Sequence, residues 1–559
     1  MTRSNKMEFL YLLCNLYIIG LTVALPLYTG GTYWQIGDSK YMLFRNLSLL
    51  CLGLWIAASL AEAIRRRRGH GYLEVSVSGK RTEEASGWCR FSRRRLSTVD
   101  IFMLLYGAVV LLSAFFSKYG NTAWMGYREW YMGAVSQLIF VGIYFLVSRC
   151  YDGKRYSLAL GIAAFFLVTV LGILHRLGLD IPGVLEEFRT GDWEYSHMLS
   201  TIGNINWFCG YCSVTLALPV VGYLKAKDRW KQVTLYIVSV LGLFLLFVQG
   251  SDIGVLMTVV CLGVCLLWGI KNGDVFDRTL LLAAGLCVLI PAYGFFGKLR
   301  GEKVLAALPA DSIGWNVINL KVWWFAGILC VIARCILYRL SKKDRETLQR
   351  NVRRGILLGF FSALVAGAGI YLGKQPVDEA WGSGRGTLWR VAWHGFLQNG
   401  WLQKLIGVGP DCFAEYIYSA FTGDELLILE GRWSNAIYAN AHNEWLNHLI
   451  NLGIMGTGCY LGIFTSGAWR YRRCKAGILA LCMYGTASLT CFQQCMSTPL
   501  LFMVLGICEA SLSLQEQNSL QHGTAGSEEC EIVSVQDDIA AENLQTTERQ
   551  GYSYEMGEV

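Results

Sequence analysis

Apolar runs of about twenty residues recur along the chain, separated by short polar stretches. A run of that length can cross a hydrocarbon layer of about 30 Å as a helix. The pattern predicts about fourteen such spans: 8–28, 41–64, 100–116, 131–147, 157–174, 203–224, 233–248, 254–270, 279–296, 322–340, 355–373, one from Ala441 to just before Arg470, 476–490 and 499–512. The longest polar interruption runs from Lys374 to Asn440. Within it, Leu388, Val391, Ala392 and Leu397 alternate with Trp389, Trp393, Phe396 and Trp401, which predicts an amphipathic helix over 387–405 lying at the headgroup layer. Gly407-Val408-Gly409-Pro410-Asp411 should break that helix, with Asp411 capping a second short one over 412–420. The span that follows is marked by Asn443, Asn447 and Asn451 at i, i+4, i+8, with Glu444 and His448 as a second stripe beside them.

Composition agrees with this patterning. The 559 residues are 54% hydrophobic and only 16% charged, with a mean hydropathy of +0.38. A soluble chain of this length carries nearer a quarter charged residues. The expectation is an all-α polytopic integral membrane protein of about 12–14 transmembrane helices. Its one large extracytoplasmic loop carries short interfacial helices. The segments are 1–99 (first helices and a basic cytoplasmic loop), 100–373 (helical bundle), 374–441 (the large loop), 442–513 (last helices) and 514–559 (an acidic, aromatic-poor tail expected to be disordered).

The net charge of +8 does not point to nucleic acid, because the basic residues sit in short loops between apolar runs. Arg65-Arg66-Arg67-Arg68, Arg149 to Arg155, Lys225 to Lys231, Ser341 to Arg354 and Arg470 to Arg473 all fall on one side in this topology, the cytoplasmic side by the positive-inside rule. The long loop is then outside. The nineteen cysteines lie mostly within apolar runs, where thiols act as small hydrophobes; Cys491 and Cys495 could pair on an outer turn. The Cys-x-x-Cys pair Cys209 and Cys212 lies inside an apolar run with no second such pair or His-x-His spacing to complete a metal site, and no cofactor motif is present. The first apolar run lacks a small-residue cleavage site, so it reads as a retained helix.

The residues that could carry chemistry collect at the long loop and its neighbours. Arg385 and Arg390 offer planar forks suited to phosphate oxygens. The first turn of the span near His442 presents free N–H groups and the positive end of a helix dipole, which favours anions and a neutral imidazole. A neutral imidazole beside a diphosphate can deprotonate an acceptor hydroxyl as the diphosphate leaves. Each residue has a plainer reading: an interfacial histidine capping a helix, arginines snorkelling, tryptophans anchoring and the Asn stripe joining helices.

Three motifs in order resemble the O-antigen ligase and O-antigen polymerase family: Gly384-Arg385-Gly386-x-x-Trp389, Leu405-Ile406-Gly407-Val408-Gly409-Pro410-Asp411-x-Phe413, and Ala441-His442-Asn443-x-x-Leu446 before Gly453-x-x-Gly456. Upstream, Gly203-Asn204-Ile205-Asn206 looks like the family's Gly-Asn-x-Asn segment, and Gly126-Tyr127-Arg128 like part of its outer arginine turn. The resemblance spans roughly residues 100 to 510. It implies a GT-C-like glycosyltransferase in the bacterial cytoplasmic membrane. Such enzymes move a glycan from an undecaprenyl-diphosphate carrier to a glycan, lipid or wall-polymer acceptor, with inversion and without metal or cofactor. His442 takes the place of the family's base, and Arg385 and, less directly, Arg128 take the diphosphate. Arg390, Asn443, Asn204 and Asn206 are further binding candidates. Where the family often has Ser-Arg, this chain has Ser251-Asp252, so phosphate binding shifts to Arg385, Arg390 or Arg128 and Asp252 becomes a candidate for a sugar hydroxyl. The competing reading is a transporter or flippase, which would gather polar groups midway through broken, paired helices.

Overall fold

The computed structural model describes residues 3–67 save 32, 96–300 save scattered positions between 182 and 191, 317–374 save 319, 343 and 344, 384–421, and 437–522. The basic run from Arg68 to Arg95, most of the 297–317 loop, the stretches 375–383 and 422–436, and the acidic tail beyond His522 lie outside the described residues.

The chain is a helical, multi-pass membrane protein. Among the described residues, eleven helices are long and apolar enough to cross a membrane, starting with Met7–Leu27 and ending with Thr498–Glu516. The other three expected spans are also helical. Ala134–Cys150, with 17 residues, and Lys475–Ala487, with 13, are short, and Glu346–Lys374 has its last side chains outside the described residues. The only paired strands among the described residues are Met198–Leu199 and Gly203–Asn204.

Helix ends follow local chemistry. Ser97 and Asp100 form a reciprocal capping box on Thr98–Phe115, and the same Asp100 carboxylate pairs with Arg149 at 3.0 Å. Asp228 caps Arg229–Val248 by accepting from the Lys231 N–H. At the same end of the bundle Arg470 pairs with the fully buried Glu509 carboxylate at 3.0 Å. Close packing sets the interior. Thr498–His522 lies against Ala134–Cys150, where a Cβ on Gly506 would come within 2.9 Å of Val147 Cβ. Glu444–Arg470 lies against Thr98–Phe115, with Gly462 making room for the Phe102 ring.

The innermost span is Ile205–Lys225, of whose most apolar window 94% is buried; the corresponding figure for Val322–Ser341 is 6%. The first is a core helix and the second faces its surroundings. The last helix continues past Leu514 to His522, so the start of the expected disordered tail is helical.

Candidate functional site

The Glu444–Arg470 helix is broken. Gly453 has φ +64, far from helical geometry. The carbonyls freed just before the break are taken by the loop: Val408 N–H donates to Ile450 O at 3.0 Å and Gly409 N–H to Asn451 O at 3.1 Å. Ser113 Oγ also donates to Asn451 O, and Ser117 Oγ to Val408 O. The backbones meet without room for side chains, since a Cβ on Gly407 would overlap the Asn451 carbonyl and one on Gly453 the Leu405 carbonyl. This explains the glycines of Gly-Val-Gly-Pro and of Gly453: each sits at positive φ in a backbone-to-backbone dock.

Asp411 differs from expectation. The short helix runs Phe413–Ala420 with Cys412 at its N-cap and no side-chain cap. Asp411, at φ +60, instead accepts the backbone N–H groups of Tyr127 (2.7 Å) and Met132 (2.8 Å). It therefore ties the loop to the turn that carries Arg128. Burial pushes its carboxyl up to about 7, against the opposing pull of those two N–H donors. The expected helix over 387–405 is two, Arg385–Gln398 and Trp401–Ile406, divided at Asn399-Gly400. Leu388 and Val391 are buried while Trp393 and Trp401 are exposed, as the amphipathic pattern requires.

His442 stands at the mouth of the broken helix with φ +45, strained for a non-glycine residue. Its backbone is held on both sides. The His442 N–H donates to Asn440 Oδ1, Ala441 N–H donates to Asn447 Oδ1, and Glu444 N–H donates to Ser488 O. Asn443 caps the helix through Leu446 N–H and donates its Nδ2 to Leu489 O, so it holds His442 in place from both ends of its amide. The half-buried imidazole meets the Phe492 ring edge-on at 5.2 Å, and neither ring nitrogen takes a hydrogen bond among the described residues. Burial first, and the nearby Arg385 guanidinium second, hold its pKa down at about 3, so it is neutral near pH 7.

Other expected residues converge here. The Arg385 charge also reaches Cys491, and Cys491 Sγ contacts Asn206 O at 3.8 Å. Ser251 Oγ donates to Asn206 Oδ1 at 2.7 Å, and Asp252, exposed, is the next residue. The Arg128 turn comes alongside through Trp130, whose ring meets Phe492 at 4.6 Å and Trp207 at 6.1 Å. Two residues of that turn, Glu129 and Tyr131, also have positive φ. So a chain of contacts joins His442 and Arg385 to Asn206 and Ser251-Asp252 on one side and to the Arg128 turn on the other. Asn204 instead caps its own helix through the Asn206 N–H. Arg390 is exposed and lies five positions beyond Arg385, about 140° around the helix, so the two arginines face different ways.

Phe492, Trp130 and Cys491 were not legible as site residues. The Cys491–Cys495 stretch read as a turn with a possible disulfide, whereas both thiols are free. The signal available was Gln493-Gln494 within an apolar region. Gln493 accepts from Gln137 Nε2 at 2.6 Å, in a buried network that includes Tyr106, His448, Glu444, Tyr460 and Tyr484 directly beneath the site. When the chain is compared with models of known protein families and with curated proteins, no family and no protein matches.

Proposed function

We propose that the protein is a membrane glycosyltransferase of the O-antigen ligase and polymerase type, acting at the extracytoplasmic face of a bacterial cytoplasmic membrane on an undecaprenyl-diphosphate-linked glycan. The observation that carries this reading is His442: a neutral imidazole, neither nitrogen hydrogen-bonded among the described residues, fixed on strained backbone beside Arg385. In the reaction, an acceptor hydroxyl oxygen bonds to the anomeric carbon as the bond to the diphosphate oxygen breaks. His442 takes the hydroxyl proton, and the carrier diphosphate leaves with the bonding electrons, its charge held by Arg385 with support from Arg128. Attack from the face opposite the leaving group inverts the anomeric centre. A diphosphate against Arg385 offsets the charge that helps depress the imidazole, so donor binding makes His442 a stronger base. Asn206, held by Ser251, and Asp252 lie where sugar hydroxyls would be bound. The GT-C-like architecture belongs to this proposal.

One observation favours the transport reading: the broken span at Gly453 has the buried Glu444 and His448 on its near side. Its backbone groups are filled by the 407–409 segment rather than left lining a path, which favours the enzyme. The test is purified protein in liposomes with an undecaprenyl-diphosphate oligosaccharide and acceptor glycan. The enzyme reading expects free undecaprenyl diphosphate and an elongated acceptor. Movement of intact carrier between leaflets without release of diphosphate would replace it with the transporter.

A further inference from the structure

A cleft of about 550 Å³ opens on the far side of the Gly407-Val408 segment from the broken helix. Its lining is polar but nearly uncharged. Gln398, Asn399 and Gln403 contribute amides, Tyr119 and Ser419 hydroxyls, and Lys118 a cation. Tyr119 and Ser419 hydroxyls lie 3.1 Å apart, which sets them as a fixed pair. Asn399 is 8% exposed, and its Nδ2 has no hydrogen-bond partner among the described residues. A buried amide donor left unpaired costs stability unless a ligand or water takes it. Amides and hydroxyls flanked by aromatic rings, with a single cation, fit a neutral polyhydroxylated ligand better than a phosphate.

The position of the cleft matters as much as its chemistry. The Arg385–Gln398 helix joins it to the reaction centre: Arg385 stands by His442 at one end and Gln398 lines the cleft at the other. Fourteen residues of helix separate the two by about 20 Å. We infer that this cleft is a second, distal saccharide subsite, which holds a stretch of glycan several sugars away from the bond being made. The inference rests on the glycosyltransferase reading for the identity of its ligand. A subsite at that distance would make affinity depend on glycan length: a hexasaccharide can span from the centre to the cleft and a disaccharide cannot.

The test uses full-length protein in phosphatidylcholine nanodiscs. The probes are a hexasaccharide and a disaccharide cut from the host's own surface polysaccharide, with binding followed by saturation-transfer NMR. The hexasaccharide should bind, and Gln398→Ala and Gln403→Ala, at exposed and half-buried positions, should each weaken it about tenfold, the loss of one good hydrogen bond. Disaccharide binding should not change in either variant, and His442→Ala should bind the hexasaccharide as wild type does. Unchanged hexasaccharide affinity in both glutamine variants, with melting temperatures preserved, overturns the subsite even if transfer is normal. Hexasaccharide binding without any release of carrier diphosphate breaks the glycosyltransferase reading and leaves the subsite standing. If replacing half the lipid with phosphatidylglycerol displaces the hexasaccharide, the cleft holds lipid headgroups and the inference is overturned.

Discussion

His442 and His448 are six residues apart, at the mouth and inside the first turns of one helix, and they are opposites. His448 is 3% exposed. Its Nδ1–H donates to the Glu444 carbonyl at 2.8 Å, its Nε2 lies 3.1 Å from the Tyr106 hydroxyl, and its ring stacks on Tyr460 at 4.2 Å. Every part of it is engaged. His442 is half-buried on strained backbone, touches Phe492 by an edge and, among the described residues, has no hydrogen bond to either nitrogen, beside a guanidinium. The same side chain holds the bundle together at one position and, in the proposed reaction, would take a proton at the other. A histidine in a membrane helix is thus assigned by what its nitrogens meet, not by its place in a polar stripe.

Substitutions can break or sharpen that contrast. His448→Ala should lower the unfolding free energy by about 3 kcal/mol, from the lost ring volume, the lost stack on Tyr460 and the Glu444 carbonyl left without its Nδ1–H donor. His442→Ala should stay within about 1 kcal/mol, because among the described residues its ring meets Phe492 by an edge and takes no hydrogen bond. Thermal melts of both variants in one detergent check the pair; equal losses would erase the distinction. Gly453→Ala should cost roughly 2 kcal/mol, since an alanine there needs positive φ and meets the Leu405 carbonyl. It should also slow transfer by displacing the loop that docks at the break. Asp411→Asn should cost about 1 kcal/mol, as a neutral amide oxygen replaces the carboxylate Oδ2 that accepts both N–H groups and its buried NH2 needs an acceptor.

The smallest expected effect is with pH. His442 has a folded-state pKa of about 3, below the usual 6.5, so the free protein has no imidazole left to deprotonate near neutrality. His442 should contribute no limb to kcat/KM between roughly pH 5 and pH 8; the Asp411 carboxyl, at about 7, titrates there, and Asp411→Asn should leave the profile flat to within about twofold. By linkage the same depressed pKa makes His442 favour folding fully above pH 6.5, a contribution lost as pH falls from there toward about 3. A rate limb centred near 6.5 that persists in Asp411→Asn would place His442 in open water.

Much of this was legible from apolar period and turn chemistry. Helices cover every expected span because runs such as 157–174 can satisfy their backbone only internally. Which runs are short enough to fall below a full crossing was not legible, because 131–147 and 476–490 continue apolar into turns that tertiary contacts end. His442 and Arg385 were singled out from local motif; that Asn206 and the Arg128 turn lie close to them is seen only in the structure. Asp411 was misread as a cap because its partners, Tyr127 and Met132, lie some 280 residues away in sequence. Asn204 and Asn443 were read as ligand groups; in the structure Asn204 Oδ1 caps its own helix, and both ends of the Asn443 amide are hydrogen-bonded. The break at Gly453 follows from nothing local; it exists because a second backbone fills it.

The most direct measurement is single-turnover release of undecaprenyl diphosphate from donor already bound to the protein, in wild type and His442→Ala. The account predicts equal donor affinity and a release rate lower by on the order of 10³-fold in the variant. Release at the wild-type rate from His442→Ala would contradict it.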